Sequence, residues 1–420
     1  MMLRLLLSVI LLLNAATAMA RDWQIAPDDG VALVTILQKA EAGDYIRLAP
    51  GTYKGPIEIN TPLTLDGQGQ AHIKGNGTGT VITINAEDAL VRGLKVTGSG
   101  SEGEFKDAGI KLNKTAHRSR VEDNVVIGNL IGIDVHGARN ALVRGNIIEG
   151  RQDHRMNDRG NGVYVWNATG SKVVENDIRY GRDGIFVNTS KKNEFIGNRM
   201  RDLRFAIHYM YANQSAVRGN ISLGNHLGYA IMYSDNVEIE GNLSRGDRDH
   251  GIMLNYTNKS TIFGNRIEQG GEKCVFIYNA HKNEFHNNLF AQCQIGIHFT
   301  AGSEKNSFAG NAIVNNRTQV KYVGSKWVDW SEGDKGNYWS DHAAFDLDGD
   351  GIADAAYRPN DIMDHILWTQ PAAKSLMGSP AVQLIRWSQS AFPALLPGGV
   401  VDRAPLMQPN LPTIPEWEER

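Results

Sequence analysis

A short motif that recurs about every 22 residues is the feature that most constrains the fold of this chain. Nine copies occupy residues 109–311, and each begins with a Gly-Ile-like pair and ends in a turn that carries Asn. A fixed period in this range is typical of solenoids, in which each unit buries its apolar face only against its neighbours. The first residues of the nine pairs are Gly109, Gly132, Gly162, Gly184, Ala206, Ala230, Gly251, Cys274 and Gly296.

Within each copy, apolar residues that point inward alternate with residues that point outward. The second residue of every pair is Ile or Val, and the residue two places further on is also apolar, which indicates a strand with one buried face. The Asn column (Asn124, Asn146, Asn176, Asn198, Asn220, Asn242, Asn265, Asn288 and Asn311) suits tight corners, and identical amides stacked in register can hydrogen-bond from coil to coil. The pattern predicts an all-β fold: a right-handed, single-stranded parallel β-helix with an N-terminal helical cap and a C-terminal capping region.

The chain divides into five predicted segments. Residues 1–20 carry Arg4, an apolar run and a small-residue A-x-A end, which is typical of a secretory signal peptide. Residues 21–98 are predicted to hold the N-terminal cap, with an apolar stripe at helical spacing, and the first irregular coils. Residues 99–324 hold the regular coils, and residues 325–370 form a C-terminal cap with an Asp-rich loop. Residues 371–420 are a Pro-rich tail for which partner docking is predicted, with disorder as the alternative.

Charge and cysteine content exclude some classes of protein. The formal net charge is −3, which gives no electrostatic footprint for nucleic acid. The two cysteines are Cys274 and Cys293. Their offset along straight strands in this register is roughly 10 Å, too far for a disulfide, so two buried or half-buried free thiols are expected.

An outward column of residues carries the candidate chemistry. It lies two places after the start of each pair and includes His208, Met232, Met253 and His298, with Met210 in the next outward column. Coils stack at about 4.8 Å, so His208, Met232 and Met253 are expected to form one ladder. Outward thioethers beside imidazoles are a ligand set that selects Cu(I). The alternative interpretation is an apolar patch that docks another protein. Copper binding and docking are both correct if the metal is handed over through a docked face.

A second candidate metal site lies in the predicted C-terminal cap. Asp346, Asp348, Asp350 and Asp354 follow the spacing of the first half of a calcium loop, and Gly351 permits the sharp turn. The Glu expected at the twelfth position of such a loop is replaced by Tyr357. A structural calcium-type ion is therefore predicted, and the alternative is an acidic loop that binds nothing.

The insertion at residues 151–160 is a candidate binding loop, and the alternative is a solvated loop.

An enzyme that acts on acidic polysaccharides, an alginate-type epimerase or lyase, is the rival class. Abstraction of the proton beside a uronate carboxylate needs a base and a cation that neutralises the carboxylate. The sequence offers scattered candidates, such as Asp134, Asp183 and Arg204, but no tight cluster of carboxylates on neighbouring coils. A purely structural scaffold is the third class.

The signal peptide, the Gly-Ile/Gly-Asn repeats and the block GNYWSD at residues 336–341 before an Asp-rich loop resemble the NosD family of periplasmic proteins. The resemblance covers nearly the whole chain. It implies a non-enzymatic role in the maturation of nitrous oxide reductase during denitrification. Such a protein is the periplasmic partner of an ABC-type transporter with a permease, NosY, and an ATPase, NosF. It helps deliver copper from the lipoprotein chaperone NosL during assembly of the copper-sulfur centre.

Overall fold

The computed structural model describes residues 20–27, 32–101, 107–300, 302–324, 326–376, 378–392 and 398–414. Within these ranges the chain winds into coils whose strands pair in parallel with those of the next coil, so the predicted parallel β-helix is confirmed. The predicted signal peptide lies outside the described residues apart from Ala20.

A sheet of 12 parallel strands, here called the front sheet, carries the Gly-Ile-like pairs. Each coil adds one strand, which pairs with the strand of the coil before it and with that of the coil after it. The strands are Ile57–Ile59, Ile82–Ile84, Ala108–Leu112, Ile131–His136, Val163–Trp166, Asp183–Asn188, Phe205–Met210, Leu227–Met232, His250–Asn255, Lys273–Tyr278, Ile295–Thr300 and Thr318–Val323.

The other two sides of the coils belong to a second sheet of 24 strands, the back sheet. A regular coil contributes two short strands to it, one on either side of its Asn. The long strands Thr64–Lys74 and Leu90–Thr97 run through both sides and join them. The remaining strands are Asp22–Ile25, Tyr45–Leu48, Gly51–Lys54, Arg120–Glu122, Val125–Asn129, Leu142–Arg144, Ile147–Gly150, Lys172–Val174, Asp177–Arg179, Glu194–Ile196, Arg199–Arg201, Ala216–Arg218, Ile221–Leu223, Glu238–Glu240, Leu243–Arg245, Thr261–Phe263, Arg266–Glu268, Glu284–His286, Leu289–Ala291, Ser307–Ala309, Ala312–Val314 and Tyr338–Trp339.

The Asn column forms a buried hydrogen-bonded ladder at the corner of the back sheet. The backbone N–H and the side-chain amide of Asn198 both donate to the Oδ1 of Asn220, each at 2.9 Å. The same side-chain amide donates to the carbonyl of Val173 in the preceding coil. Since the corner amides satisfy one another from coil to coil, the repeated Asn specifies the register in which the coils stack.

The predicted register is wrong in one coil. Ala230 is not the first residue of a pair, because it aligns with His208 and Met253 rather than with Ala206 and Gly251. The pair in this coil is Gly228 and Tyr229. A β-carbon on Gly228 would lie 2.5 Å from the carbonyl oxygen of Gly251, so the close approach of the coils requires glycine there.

The predicted free thiols are also wrong, because Cys274 and Cys293 form a disulfide with a Cα–Cα distance of 5.7 Å. The offset of 10 Å assumed that both residues lie on straight strands. Cys293 instead lies in the turn that precedes strand Ile295–Thr300, and Gln292 beside it has a left-handed backbone. The turn folds Cys293 back onto the adjacent coil, where both side chains are buried.

Both ends of the solenoid core are covered. Helix Ala32–Lys39 closes the N-terminal end and buries Leu33 and Leu37. Trp330 closes the other end, where its ring stacks on Phe308 with 4.0 Å between ring centroids. Trp339 is buried beside it, whereas Trp327 is 47% exposed.

Part of the Pro-rich tail packs against this C-terminal end. Strand Gly399–Val401 pairs in parallel with Trp327–Asp329 in a third, two-stranded sheet. Helix Ile362–Thr369, the 3-10 helix Pro371–Leu376 and helix Pro380–Ala391 precede it, and a further 3-10 turn, Met156–Asp158, lies in the insertion. Leu384 and Trp387 on the last helix are each 64% exposed.

Candidate metal-binding face

The outward side of the front sheet, here called the front face, presents parallel columns of side chains because each strand alternates inward and outward residues. Parallel pairing keeps the columns in line from coil to coil. The central column is Lys111, Asp134, Tyr164, Phe186, His208, Ala230, Met253, Phe276, His298 and Lys321.

The structure keeps all five predicted copper ligands on the front face but does not align them as one ladder. Met232 pairs with Met210 in the neighbouring column, while His208 and Met253 flank Ala230 in the central column. His298 follows Met253 after an intervening Phe276. The predicted ladder is wrong for the same reason as the predicted pair at Ala230. A shift of two residues along a strand keeps a side chain on the same face of the sheet but moves it into the neighbouring column.

His208 is held by a buried carboxylate of the preceding coil. Its Nδ1 lies 3.2 Å from the Oδ2 of Asp183, which also accepts hydrogen bonds from Arg204. Burial alone would raise the pKa of Asp183, but the hydrogen bonds from His208 and Arg204 outweigh it and hold that pKa below its ordinary value. Phe186 and Phe205 pack on the imidazole at centroid distances of 4.7 and 5.0 Å. A donor role for Nδ1 places the lone pair on Nε2, as in metal-ligating histidines that are oriented by a carboxylate.

Ala230 creates a gap in the central column next to this histidine. It points outward between His208 and Met253, yet it is fully buried. Its methyl group is smaller than the side chains of His208 and Met253, which occupy the same column in the two adjacent coils. Met232 points to the same side two residues further along the same strand, and it is half-buried together with Met253. His208 and Met253 therefore flank Ala230 in the central column, and Met232 is its outward neighbour on the same strand.

Two more histidines lie on the front face away from this group. Burial and the nearby Lys321 and Lys273 lower the pKa of His298 to about 4. Burial, followed by the charge of Lys273, also lowers the pKa of His250. Both imidazoles are therefore neutral at pH 7, which is the form that binds metals.

An exposed strip of tyrosines borders Met210 and Met232. The repeat pattern of the sequence does not reveal this strip. Tyr211, Tyr233 and Tyr256 stack at centroid distances of 5.2 and 5.1 Å, and Tyr278 meets Tyr256 edge to face. Each ring is at least 40% exposed. Tyr211 and Tyr233 directly follow Met210 and Met232, and this Met-Tyr pairing is the sequence signal that could have revealed the strip. Tyrosine and methionine are both enriched at protein interfaces.

The Asp-rich loop brings together three of its four predicted ligands. Carboxylate oxygens of Asp346, Asp348 and Asp350 lie within 4.8 Å of one another. Asp354 is outside that group and accepts a hydrogen bond from the backbone of Leu347 instead. Hydrogen bonds from the backbone of Gly351 and Gly349 outweigh burial and lower the pKa of Asp346. The ion at this loop stays a prediction.

The insertion at residues 151–160 is a surface loop. Asp153 pairs with Arg151 at 2.6 Å and with His154 at 3.2 Å. Among the described residues, no helix combines the length and the apolar character that a membrane span requires.

The architecture identifies the chain as a parallel β-solenoid protein. Two solved structures share this fold, each with a TM-score of 0.55: the A-module of a mannuronan C-5 epimerase from Azotobacter vinelandii and a family 28 exopolygalacturonase from Yersinia enterocolitica. The first is 14% identical and covers 69% of this chain and 89% of its own, and the second is 11% identical and covers 72% and 77%. Identities this low show the fold alone.

Sequence comparison defines the family. Residues 145–344 match the family described as periplasmic copper-binding protein (NosD). A probable ABC transporter binding protein NosD from Stutzerimonas stutzeri is 38% identical over 97% of this chain and 94% of its own length. A probable ABC transporter binding protein NosD from Pseudomonas aeruginosa is 37% identical over 96% of this chain and 95% of its own length. The chain belongs to the NosD family, which confirms the family that the sequence motifs suggest.

Proposed function

We propose that this protein receives Cu(I) on its front face and passes it on during the maturation of nitrous oxide reductase. In this proposal it acts in the periplasm beside an ABC-type transporter formed by the permease NosY and the ATPase NosF, and NosL supplies the copper. The observation that carries the proposal is the group around Ala230: His208, oriented by Asp183, precedes Ala230 in the central column, Met253 follows it, and Met232 is its outward neighbour on the same strand.

The chemistry of these groups matches a transient copper cargo. Thioether and neutral imidazole are soft or borderline ligands that favour Cu(I), whereas the hard oxygen ligands preferred by calcium or magnesium are not part of the group. Among the described residues, the carboxylate in contact with His208 is that of Asp183, which is already occupied by Arg204 and by the imidazole itself. Asp183 therefore orients the ligand and is not a ligand in this proposal.

The remaining predicted ligands are spaced along the face. Adjacent coils are about 4.8 Å apart. Met210 lies one coil before Met232, and His298 lies two coils beyond Met253. Their spread suits successive weak sites better than one closed site, since a closed site would retain the metal. The tyrosine strip offers the partner a flat docking surface beside the methionines.

Anaerobic titration with Cu(I) tests the proposal. The variant His208→Ala/Met232→Ala should remain folded, since both side chains lie on the outer face, and it should lose most of its affinity for Cu(I). Met156→Ala, which removes a thioether from the insertion, is the matched control and should bind as the parent does. If the double variant binds Cu(I) normally and still supports copper loading of the reductase, the group around Ala230 has no part in copper handling.

An alginate-type epimerase or lyase is the second candidate function. The buried carboxylates Asp134 and Asp183 on the front face would favour it, but each is already paired, Asp134 with Lys111 at 3.3 Å and Asp183 with Arg204 at 2.7 Å. Turnover of polymannuronate by the purified protein would support this alternative over copper handling.

A further inference from the structure

A groove on the outer wall of the early coils carries a second set of binding groups, separate from those around Ala230. It has a volume of about 960 Å³ and lies where strands Ile131–His136 and Val163–Trp166 leave the front sheet. That size is typical of a pocket for a small organic ligand. The side chains used below are Asn113, Lys114, His136, Arg139, Trp166 and Thr169.

The wall of the groove is a rigid aromatic platform. The rings of His136 and Trp166 stack with 4.3 Å between centroids and 26° between planes. The Nδ1 of His136 is buried and has no hydrogen-bond partner in the described part of the chain; it lies 3.7 Å from the Oδ2 of Asp134, which is itself fully buried. The side chain of His136 is nevertheless 39% exposed, so part of the platform is open to a ligand.

The groove is positively charged in a chain whose net charge is −3. Lys114 and Arg139 are exposed at its rim, and neither has an ion-pair partner within 4.0 Å among the described residues. None of the described residues that line it carries a carboxylate. Because unpaired cations that border a low-dielectric wall attract anions, the ligand should carry negative charge.

Amides and hydroxyls complete the lining. Asn113 and Thr169 line the groove, and Asn113 donates to Asn85 at 2.6 Å, which orients both amides. Such groups match a ligand with many hydroxyls. An extended peptide would normally bind by adding a strand to an open sheet edge. Strand Ile131–His136 offers no such edge, because it already pairs with strands on both sides.

We propose that this groove binds an acidic saccharide of two or three rings, with a sugar face on the Trp166 and His136 platform and its carboxylate near Lys114 and Arg139. The inference is independent of copper handling. Trp166 lies two coils before Met210 in the same column, and none of the predicted copper ligands lines the groove.

Calorimetric titration of the full chain with a mannuronate trisaccharide, and with maltotriose as the neutral probe, tests the proposal. The acidic probe should bind in the submillimolar range and lose affinity as salt is added, while maltotriose should bind at least tenfold more weakly. Trp166→Ala and Lys114→Gln/Arg139→Gln should each weaken the acidic probe at least tenfold. Trp327→Ala and Lys95→Gln, which change an exposed Trp and an exposed Lys outside the groove, should not.

Three results would overturn the proposal: no saturation by the acidic probe at 10 mM, equal binding of maltotriose, or unchanged binding in the groove variants. Tighter binding of tetraglutamate than of the trisaccharide would also overturn it and would assign the groove to an acidic segment of a protein. If Trp166→Ala fails to fold, Trp166→Phe and Lys114→Gln/Arg139→Gln still test whether the groove binds the acidic probe. Cu(I) affinity should be unchanged in all groove variants, so failure here is distinguishable from failure of the copper proposal.

Discussion

The carboxylate of Asp402 accepts the backbone N–H of Asn337 at 2.7 Å and thereby ends the asparagine ladder. Asn337 fills the ladder position after Asn311, whose backbone N–H donates to the Oδ1 of Asn337. In the ranges that the structure describes, no further coil stacks on Asn337, and the last rung takes its acceptor from a residue 65 positions later in the chain. The indole N–H of Trp339 donates to the same Oδ2, which ties the tail to the buried Trp of the cap.

Removal of that acceptor should loosen the C-terminal cap. Asp402→Ala leaves the N–H of Asn337 and the indole of Trp339 buried without a partner, at a cost of roughly 2 to 4 kcal/mol. Asp402→Asn keeps one acceptor oxygen and should cost less. Urea unfolding of the three proteins measures the difference, and equal midpoints would show that the tail does not stabilise the coils.

The disulfide between Cys274 and Cys293 should stabilise the coils that it joins. It closes a loop with a sequence separation of 19, for which chain-entropy arguments give about 3 kcal/mol. Cys274→Ala/Cys293→Ala should therefore unfold at lower urea concentration than the oxidised parent. The parent under reducing conditions is the matched comparison, and it should approach the variant. A pair of disulfide-bonded cysteines also fits an oxidising compartment such as the periplasm.

The repeat made the fold predictable, but it could not resolve positions where two neighbouring pairs both fit the pattern. Ala230 and Ile231 imitate a Gly-Ile pair better than Gly228 and Tyr229 do. The core tolerates the polar hydroxyl of Tyr229 because that hydroxyl lies 2.8 Å from the carbonyl oxygens of Asn220 and Leu243. That compensation depends on backbone carbonyls of two adjacent coils and leaves no local signal in the sequence.

The candidate site was predictable as a face but not as a cluster. Periodicity placed His208 and Met253 in one outward column, and the structure agrees. The partnership of His208 with Asp183 could not be read from spacing, because it crosses from one column to another between adjacent coils. The same limit hid the disulfide, since a turn rather than a strand brings Cys293 to Cys274.

The buried carboxylate of Asp247 should make stability depend on pH. Burial raises its pKa to about 6, and hydrogen bonds from Ser244 and Ser222 only partly offset burial. An unfolded Asp titrates near pH 4. Because the folded state holds the extra proton between these values, the contribution of Asp247 to stability should be greatest at about pH 4 and below and fall as pH rises through about 6.

Asp247→Asn should remove this dependence. Asn225 occupies the same position one coil earlier, so the site accepts an amide. The variant should be more stable than the parent by roughly 1 to 3 kcal/mol at pH 7.5 and about equal to it near pH 4. Urea unfolding at the two pH values gives the difference, in which the titration of other groups cancels. A constant difference at both pH values would show that folding does not shift the pKa of Asp247.

The pairing of Asp183 with His208 should set the affinity of the front face for Cu(I). Asp183→Asn keeps the size of the side chain but removes the charge that fixes the imidazole with its lone pair on Nε2. Loss of such an orienting carboxylate typically costs 10- to 100-fold in metal affinity, so about that loss is expected in competition with a chromophoric Cu(I) chelator. Asp153→Asn, which removes an exposed carboxylate of the insertion, should leave the affinity unchanged. Circular dichroism should confirm that both variants keep the coils. If a folded Asp183→Asn variant binds Cu(I) as tightly as the parent, His208 does not bind copper in the orientation that Asp183 imposes.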